Sequence, residues 1–260
     1  MNSTNPGKGR LAGMVAIVTG GGSGFGESIC QSYATEGAKL VLADINAANG
    51  ERVTEALTNA GREAIFVRTD VSKASDMQAL VEAALSRFGK LDVMVNNAGI
   101  SHANQPMLQV SEAEFDRIFQ VNVKSIYHSA QSCVPVFRRQ GGGCFINIGS
   151  TAAVRPRPGL AWYNGSKGAV TLITKSMAVE LAPERIRANS INPAIAETPL
   201  LTTFMGAADN AQNRAKFIAS IPLGRLGRSS DVANAAVFFA DPASEFVTGV
   251  CMEVDGGRCI

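Results

Sequence analysis

Short, mostly apolar runs alternate along this chain with longer stretches in which apolar positions recur every three to four residues. The runs fall at 14–18, 39–43, 64–68, 91–95, 144–148, 186–191 and 251–254. Runs of this length suit parallel strands covered on both faces, whereas a recurrence near 3.6 marks one face of a helix. Helices are therefore predicted over 27–36, from Ala47 onward, and over 73–88, 111–139, 163–181 and 231–239, with Gly37 and Gly89 as stops. The alternation predicts one α/β domain over 11–260. Residues 1–10 read as a flexible polar lead, and the irregular segment 197–220 reads as a substrate lid.

Several runs end in residues suited to chemistry. The first passes straight into Thr19-Gly20-Gly21-Gly22-Ser23-Gly24-Phe25-Gly26 before its helix. Backbone N–H groups and a helix dipole hold a pyrophosphate at such a turn, and glycines allow the close approach. The spacing Gly20-x-x-x-Gly24-x-Gly26 makes this loop longer than the usual G-x-G-x-x-G. Asp44 closes the second run, eighteen positions beyond Gly26, where a carboxylate takes adenosine ribose hydroxyls and repels a 2′-phosphate. No lysine or arginine at 21–23 or 45–46 offsets that repulsion, so NAD is expected over NADP. The other reading of Asp44 is an N-cap for the helix beginning at Ala47.

Asn96-Asn97-Ala98-Gly99 ends the fourth run, either as a tight turn or as a floor whose backbone approaches a cofactor. Ser111 and Glu114 have capping-box spacing, and Pro135 is expected to kink or end the helix they begin. Asn122 sets an amide among Phe119, Val121, Val123 and Ile126, where it either stabilises a local bend or has a role.

Tyr163 and Lys167 stand four apart and share a helix face. An ordinary phenol, with a pKa of about 10, exchanges protons poorly near neutrality, and an adjacent ammonium favours the phenolate. Tyr163 is thus a candidate general acid/base, with Ser150 thirteen positions before it at the end of the fifth run. The bare Y-x-x-x-K pattern also arises by chance on amphipathic helices.

Composition narrows the class. A chain of 260 residues, 46% apolar and 18% charged, supports a large core in one domain. A net charge of +2 with scattered lysines and arginines leaves no footprint for nucleic acid or an anionic membrane. No stretch approaches the roughly 18 apolar residues of a membrane span, and the N-terminus lacks the apolar core of a secretory signal. A cytoplasmic protein is expected, with small molecules or copies of itself as partners. Cys30, Cys133, Cys144, Cys251 and Cys259 show no metal-ligand spacing, so free thiols and no metal site are expected.

Taken in order, the glycine turn, Asp70-Val71, Asn96-Asn97-Ala98-Gly99, Asn122, Ser150, Tyr163-x-x-x-Lys167, Asn192-Pro193 and Asp255-Gly256-Gly257 resemble the short-chain dehydrogenase/reductase family in its compact form. The resemblance spans nearly the whole chain. It implies a Rossmann-like doubly wound, mostly parallel seven-stranded sheet in the order 3-2-1-4-5-6-7, with helices on both faces. By the same resemblance Tyr163 would be the acid/base and Ser150 would hold the reacting oxygen. Lys167 would bind the nicotinamide ribose and lower the tyrosine pKa, and Asn122 would hold a water on the proton path. Gly20, Ser23, Gly24, Phe25 and Gly26 would cradle the cofactor, with Asp44 and Ile45 at its ribose and Asp70 and Val71 beside the adenine. Asn97, Ala98 and Gly99 would line the adenosine and ribose side, and Pro193, Ala196 and Thr198 would lie toward the carboxamide or phosphate. Gly149, Ala194 and Ala196 depart from the residues usual at their positions, which bears on pocket shape.

The activity so implied is hydride transfer between NAD and a secondary alcohol or ketone. A 3-oxoacyl carrier-protein reductase is the alternative, against which Asp44 and the lack of a basic cluster speak. A non-catalytic NAD-binding scaffold is a third reading, opposed by four filled reacting positions. A homotetramer is implied as well, and the apolar content of 111–137 exceeds one core-facing stripe. Between Ser150 and Tyr163, prolines stiffen Val154-Arg155-Pro156-Arg157-Pro158-Gly159. Arg155 and Arg157 are then either receptors for an anionic substrate group or solvated charges and subunit contacts. His102 and Trp162 are expected as further pocket walls.

Overall fold

The computed structural model describes residues 9–260. Seven strands lie among them: β1 (Val15–Thr19), β2 (Lys39–Asp44), β3 (Ala64–Arg68), β4 (Val93–Asn96), β5 (Gly143–Ile148), β6 (Ile186–Pro193) and β7 (Cys251–Val254). They form one sheet in the order β3-β2-β1-β4-β5-β6-β7, and every pairing is parallel. The order reverses at β1, which opens a crevice between the carboxyl ends of β1 and β4, where such sheets bind ligands.

The strands carry apolar side chains on both faces because both faces are covered. From β1, Ala16 and Val18 join one core with Ile29 and Tyr33 of α1 (Gly24–Thr35), Val53 of α2 (Ala47–Asn59) and Phe239 of a C-terminal helix (Ser229–Ala240). Val15 and Ile17 point the other way, to Met77 and Leu80 of α3 (Ala74–Phe88) and to Phe137, Phe145 and Leu181. Each fully buried Val, Ile, Leu, Met or Phe among them contributes about 1.5–3 kcal/mol by transfer from water.

The stretch expected as one helix over 111–139 is three pieces: α4 (Glu112–Phe119), a π-helical turn (Gln120–Lys124) and α5 (Ser125–Gln140). Ser111 and Glu114 do form the capping box. Pro135 does not end α5, which continues to a left-handed cap at Gly141. The proline is on the solvent side, where water satisfies the carbonyl it leaves unbonded. The break falls instead at Asn122. Beyond it, α6 (Ala161–Leu181) carries Tyr163 and Lys167, both buried.

The segment expected to be irregular holds two short helices, α7 (Leu201–Met205) and α8 (Ala211–Ile218), before α9 (Ser229–Ala240). Asn210 caps α8 by accepting the Asn213 N–H at 2.9 Å. Of the lead, residues 1–8 lie outside the described residues. Its last member, Arg10, is held by Glu36 (2.8 Å) and Asp241 (2.6 Å), so the tethered chain includes it.

Candidate active site

The turn after β1 is built around close contacts. Gly20 has φ +64°, and a Cβ added there would lie 2.9 Å from Asn97 Nδ2. Gly26 packs directly on the Gly20 carbonyl with no room for a Cβ, so it closes the turn from behind and does not face the cleft. The β4 end is tied to the same turn. Asn97 Nδ2 donates to the carbonyls of Thr19 (2.8 Å) and Gly20 (3.1 Å), while Thr19 Oγ1 accepts the N–H groups of Asn97 (3.0 Å) and Ala98 (3.1 Å). Asn97, Ala98 and Gly99 thus form a floor. The alternative of a simple tight turn does not hold.

Asp44 is not the cap of α2. Asn46 fills that role through Asn49 N–H at 3.1 Å. The Asp44 carboxylate instead accepts Gly22 N–H through Oδ2 and Asn46 N–H through Oδ1, both at 2.9 Å. Each oxygen keeps lone-pair capacity directed by a fixed backbone, which suits a pair of ribose hydroxyls.

An open cleft of about 1290 Å³ collects Gly20, Ser23, Gly24, Phe25, Asp44, Ile45, Asp70, Val71, Asn97, Ala98, Gly99, Tyr163, Lys167 and Thr198. The glycine turn, the carboxylate at one end and an ammonium at the other fit a dinucleotide of NAD type. Pro193 and Ala196 lie outside this cleft, in an adjoining cavity with Ser150. Tyr163 and Thr198 line both spaces. Sequence reasoning missed Thr69, Ile100 and Arg117 in the cleft, and Leu160, Asn164 and Arg258 in the cavity, while Leu200 and Phe204 belong to the segment expected as a lid. Arg258 follows β7 in a tail without periodicity, so nothing in the chain order signals its place.

Asn122 stands behind Gly99 and lines neither space. Its Oδ1 accepts Ile100 N–H at 2.8 Å, and its Nδ2 donates to Ile100 O (2.9 Å) and to Ser166 Oγ (3.0 Å), which donates to Tyr163 O (2.7 Å). The π turn therefore couples the loop after β4 to the first turn of α6. Lys167 Nζ donates to Ile148 O at 2.8 Å and lies 5.9 Å from the centre of the Tyr163 ring.

The expected depression of the Tyr163 pKa is not what this arrangement produces. Burial pushes the phenol up to about 12, and the Ser150 hydroxyl and the Arg157 charge oppose it without prevailing. Lys167 has its ammonium turned to the Ile148 carbonyl, and burial brings its own pKa down to about 8. At neutral pH the pair is a protonated phenol and a charged amine, so Tyr163 holds a proton but is a weaker acid than an ordinary phenol.

His102 and Trp162 are not pocket walls. His102 is buried with Nδ1 2.7 Å from Ala103 O, and Trp162 donates to Met107 O at 3.1 Å with its ring edge-on to Phe115. Trp162, at the start of α6, is thereby turned toward the segment after β4, on which His102 itself lies. The departure at Gly149 has a steric cause: a side chain there would strike the Asn192 amide.

Comparison with known proteins places this geometry. Residues 20–258 match the family model described as enoyl-(acyl carrier protein) reductase. The chain belongs to the short-chain dehydrogenase/reductase family. It is similar to the 4-formylbenzenesulfonate dehydrogenase of Comamonas testosteroni, 49% identical over 95% of this chain and 98% of that one. It is also similar to the 7alpha-hydroxysteroid dehydrogenase of Escherichia coli (strain K12), 34% identical over 95% of each. Among solved structures, a 3-ketoacyl-(acyl-carrier-protein) reductase from Brucella melitensis complexed with NADH superposes with a TM-score of 0.90. That protein is 47% identical, with 96% of this chain and 100% of that one covered. Like its family, this chain is an oxidoreductase of alcohols and ketones, and its cofactor is NAD(H).

Among the described residues no helix is long and apolar enough to cross a membrane, and no group of three His, Cys, Asp or Glu side chains is set to hold a metal ion. All five cysteines are free, three of them buried.

Proposed function

We propose that the protein interconverts a secondary alcohol and its ketone with Tyr163 as the proton-transfer group. One observation carries this reading: Tyr163 is the buried ionisable side chain that faces both the cofactor cleft and the substrate cavity. Bound NAD supplies the hydride acceptor, and NADH the donor. Asp44 and the glycine turn hold it, and Lys167 holds its nicotinamide ribose. In reduction Tyr163 Oη gives its proton to the carbonyl oxygen, and in oxidation the phenolate takes the hydroxyl proton. Ser150 hydrogen-bonds the same oxygen. Asn122, through Ser166 and Ile100, fixes α6 against the floor and stands at the entry of a proton path. Leu160 and Phe204 exclude water from the cavity, and 197–220 closes over it as the lid.

The reading extends to assembly. Tyr127, Leu172 and Val179 are exposed on α5 and α6, beside a depression lined by Phe119, Val123 and Met177. An apolar surface of this kind supports burial against copies of the chain, as a homotetramer in the cytoplasm.

A second reading keeps the chemistry and changes the substrate. The Brucella melitensis reductase is described with NADH, so Asp44 no longer argues against a carrier-protein ketoester. Another relative is named for a carbonyl compound bearing a sulfonate, and the substrate cavity here holds three arginines.

Tyr163→Phe tests the proposal. Turnover of a panel of secondary alcohols, followed at the NADH absorbance band, should fall by about 10²- to 10⁴-fold with NADH binding retained. Near-normal kcat in this variant overturns the assignment.

A further inference from the structure

We propose that Arg157, with Arg258 beside it and Arg155 at the rim, is a receptor for an anionic group on the substrate, so that the alcohol or ketone handled here is a small organic acid. The proposal rests on the hydride-transfer reading for its reaction and adds the substrate class.

The two segments that meet here are far apart in the chain. The loop after β5 is stiffened by Pro156 and Pro158 and anchored where Asn164 Nδ2 donates to Arg157 O at 2.9 Å. The tail after β7 returns to it, and Arg155 Nη1 donates to Arg258 O. All three arginines line the cavity that holds Ser150 and Tyr163.

What distinguishes this cluster is that its charge is unanswered. The walls of the cavity include no aspartate or glutamate. None of the three forms an ion pair among the described residues; twelve other lysines and arginines there form none either, but those do not line this cavity. Arg157 is half-buried, donates one hydrogen bond to Phe204 O at 2.7 Å, and lies 4.6 Å from the centre of the Phe217 ring. Burial and the neighbouring Arg258 charge both disfavour its charged form. A cation set in such a place is stabilised by an anion that enters the cavity, and nothing else on the cavity wall supplies one.

The guanidiniums also have capacity to spare. Each carries five N–H donors in a planar fork. Among the described residues one is engaged on Arg157, one on Arg155 and none on Arg258. The two engaged contacts go to backbone carbonyls, which steady the side chains without neutralising them. A carboxylate, sulfonate or phosphate can then be held in bidentate fashion while the reacting oxygen lies against Ser150 and Tyr163.

The test uses two alcohols that differ by one para-carboxylate, 1-(4-carboxyphenyl)ethanol and 1-phenylethanol. In the wild type kcat/KM for the acid should exceed that for the neutral alcohol by at least ten-fold. In Arg157→Gln and in Arg258→Gln that ratio should fall ten-fold or more, while Arg157→Lys keeps part of it. The wild-type KM for the acid should also rise with added NaCl. A ratio near one in the wild type, or one unmoved in both glutamine variants, overturns the proposal. If neither alcohol is turned over, neither is a substrate, and the hydride-transfer reading stands or falls on the alcohol panel and Tyr163→Phe. Calorimetric titration of 4-acetylbenzoate and of 4′-methylacetophenone into the protein with saturating NADH then still decides the anion receptor. Tighter binding of the acid, weakened ten-fold in Arg157→Gln, supports it, and equal binding overturns it. Acetoacetyl-coenzyme A displacing 4-acetylbenzoate at far lower concentration would assign the charge to a carrier arm and overturn the small-acid assignment.

Discussion

The ring of Phe204, on α7, lies 5.1 Å from the ring of Tyr163, centre to centre and tilted by 53°. The segment 197–220 therefore touches the side chain proposed to transfer the proton. Phe204 also places its backbone carbonyl on Arg157, so one residue of the lid meets both the reacting end and the basic end of the cavity. Phe204→Ala should raise KM for a secondary alcohol by roughly ten-fold, the order expected when an aromatic pair worth about 0.5–1.5 kcal/mol is lost along with its water exclusion. Unchanged KM and kcat in steady-state assays would show that the lid does not close on the substrate.

The protonation of Tyr163 gives a directional prediction. Burial raises its pKa, and the Ser150 hydroxyl is first among the groups that pull it back. Ser150→Ala should therefore move the alkaline rise of alcohol oxidation to higher pH, besides lowering kcat. The pH profile of kcat/KM checks this, and a shift toward lower pH would contradict it.

Lys167 links the site to stability. Its folded pKa of about 8 lies below the ordinary 10.5 because burial disfavours the ammonium. Between those values the unfolded chain holds a proton that the folded chain has lost, so folding gains as pH rises across the window. Relative to Lys167→Met, the wild type should gain about 3 kcal/mol in unfolding free energy from pH 8 to 10.5. Urea denaturation of both proteins at pH 7 and pH 10.5 measures it, and a constant difference refutes it.

Cofactor choice involves more than Asp44. Arg52 donates to Gly22 O at 3.1 Å on the turn whose N–H Asp44 accepts, but Glu27 pairs with it at 2.7 Å. Asp44→Ala should relax the NAD preference toward NADP, and adding Glu27→Gln should increase the relaxation by freeing a guanidinium beside the turn. Ratios of kcat/KM for the two cofactors read this out. A second substitution without effect would remove Arg52 from the account.

Much of this was legible because backbone chemistry is local. A largely apolar run such as Cys251–Val254 or Ala64–Arg68 declares a strand by its own residues, and the structure gives both with those bounds, as the partly exposed edges of the sheet. Glycine before a helix, and an acid at the next strand end, likewise announce a phosphate turn and a ribose site, since the sheet order brings the ends of β1 and β2 together. Tyr163 and Lys167 share a face by helix geometry alone.

Other features needed the folded chain, because they depend on residues distant in sequence or on burial. Asn122 has no visible purpose until Ile100 and Ser166 meet it from two other elements. The sign of the Tyr163 shift was set by how fully the fold buries the phenol and by where Lys167 turns its ammonium, neither of which spacing encodes. Arg258 enters the substrate cavity 101 positions past Arg157 only because the tail after β7 folds back over the loop after β5. The sequence by itself thus determined the strands and most of the helices, the glycine turn after β1 and the shared helix face of Tyr163 and Lys167, which follow from short-range periodicity and residue type. Which charges face one another without a counterion, and which groups lose water, were decided by tertiary structure, since electrostatic environment is a property of neighbours that the chain brings together from a distance.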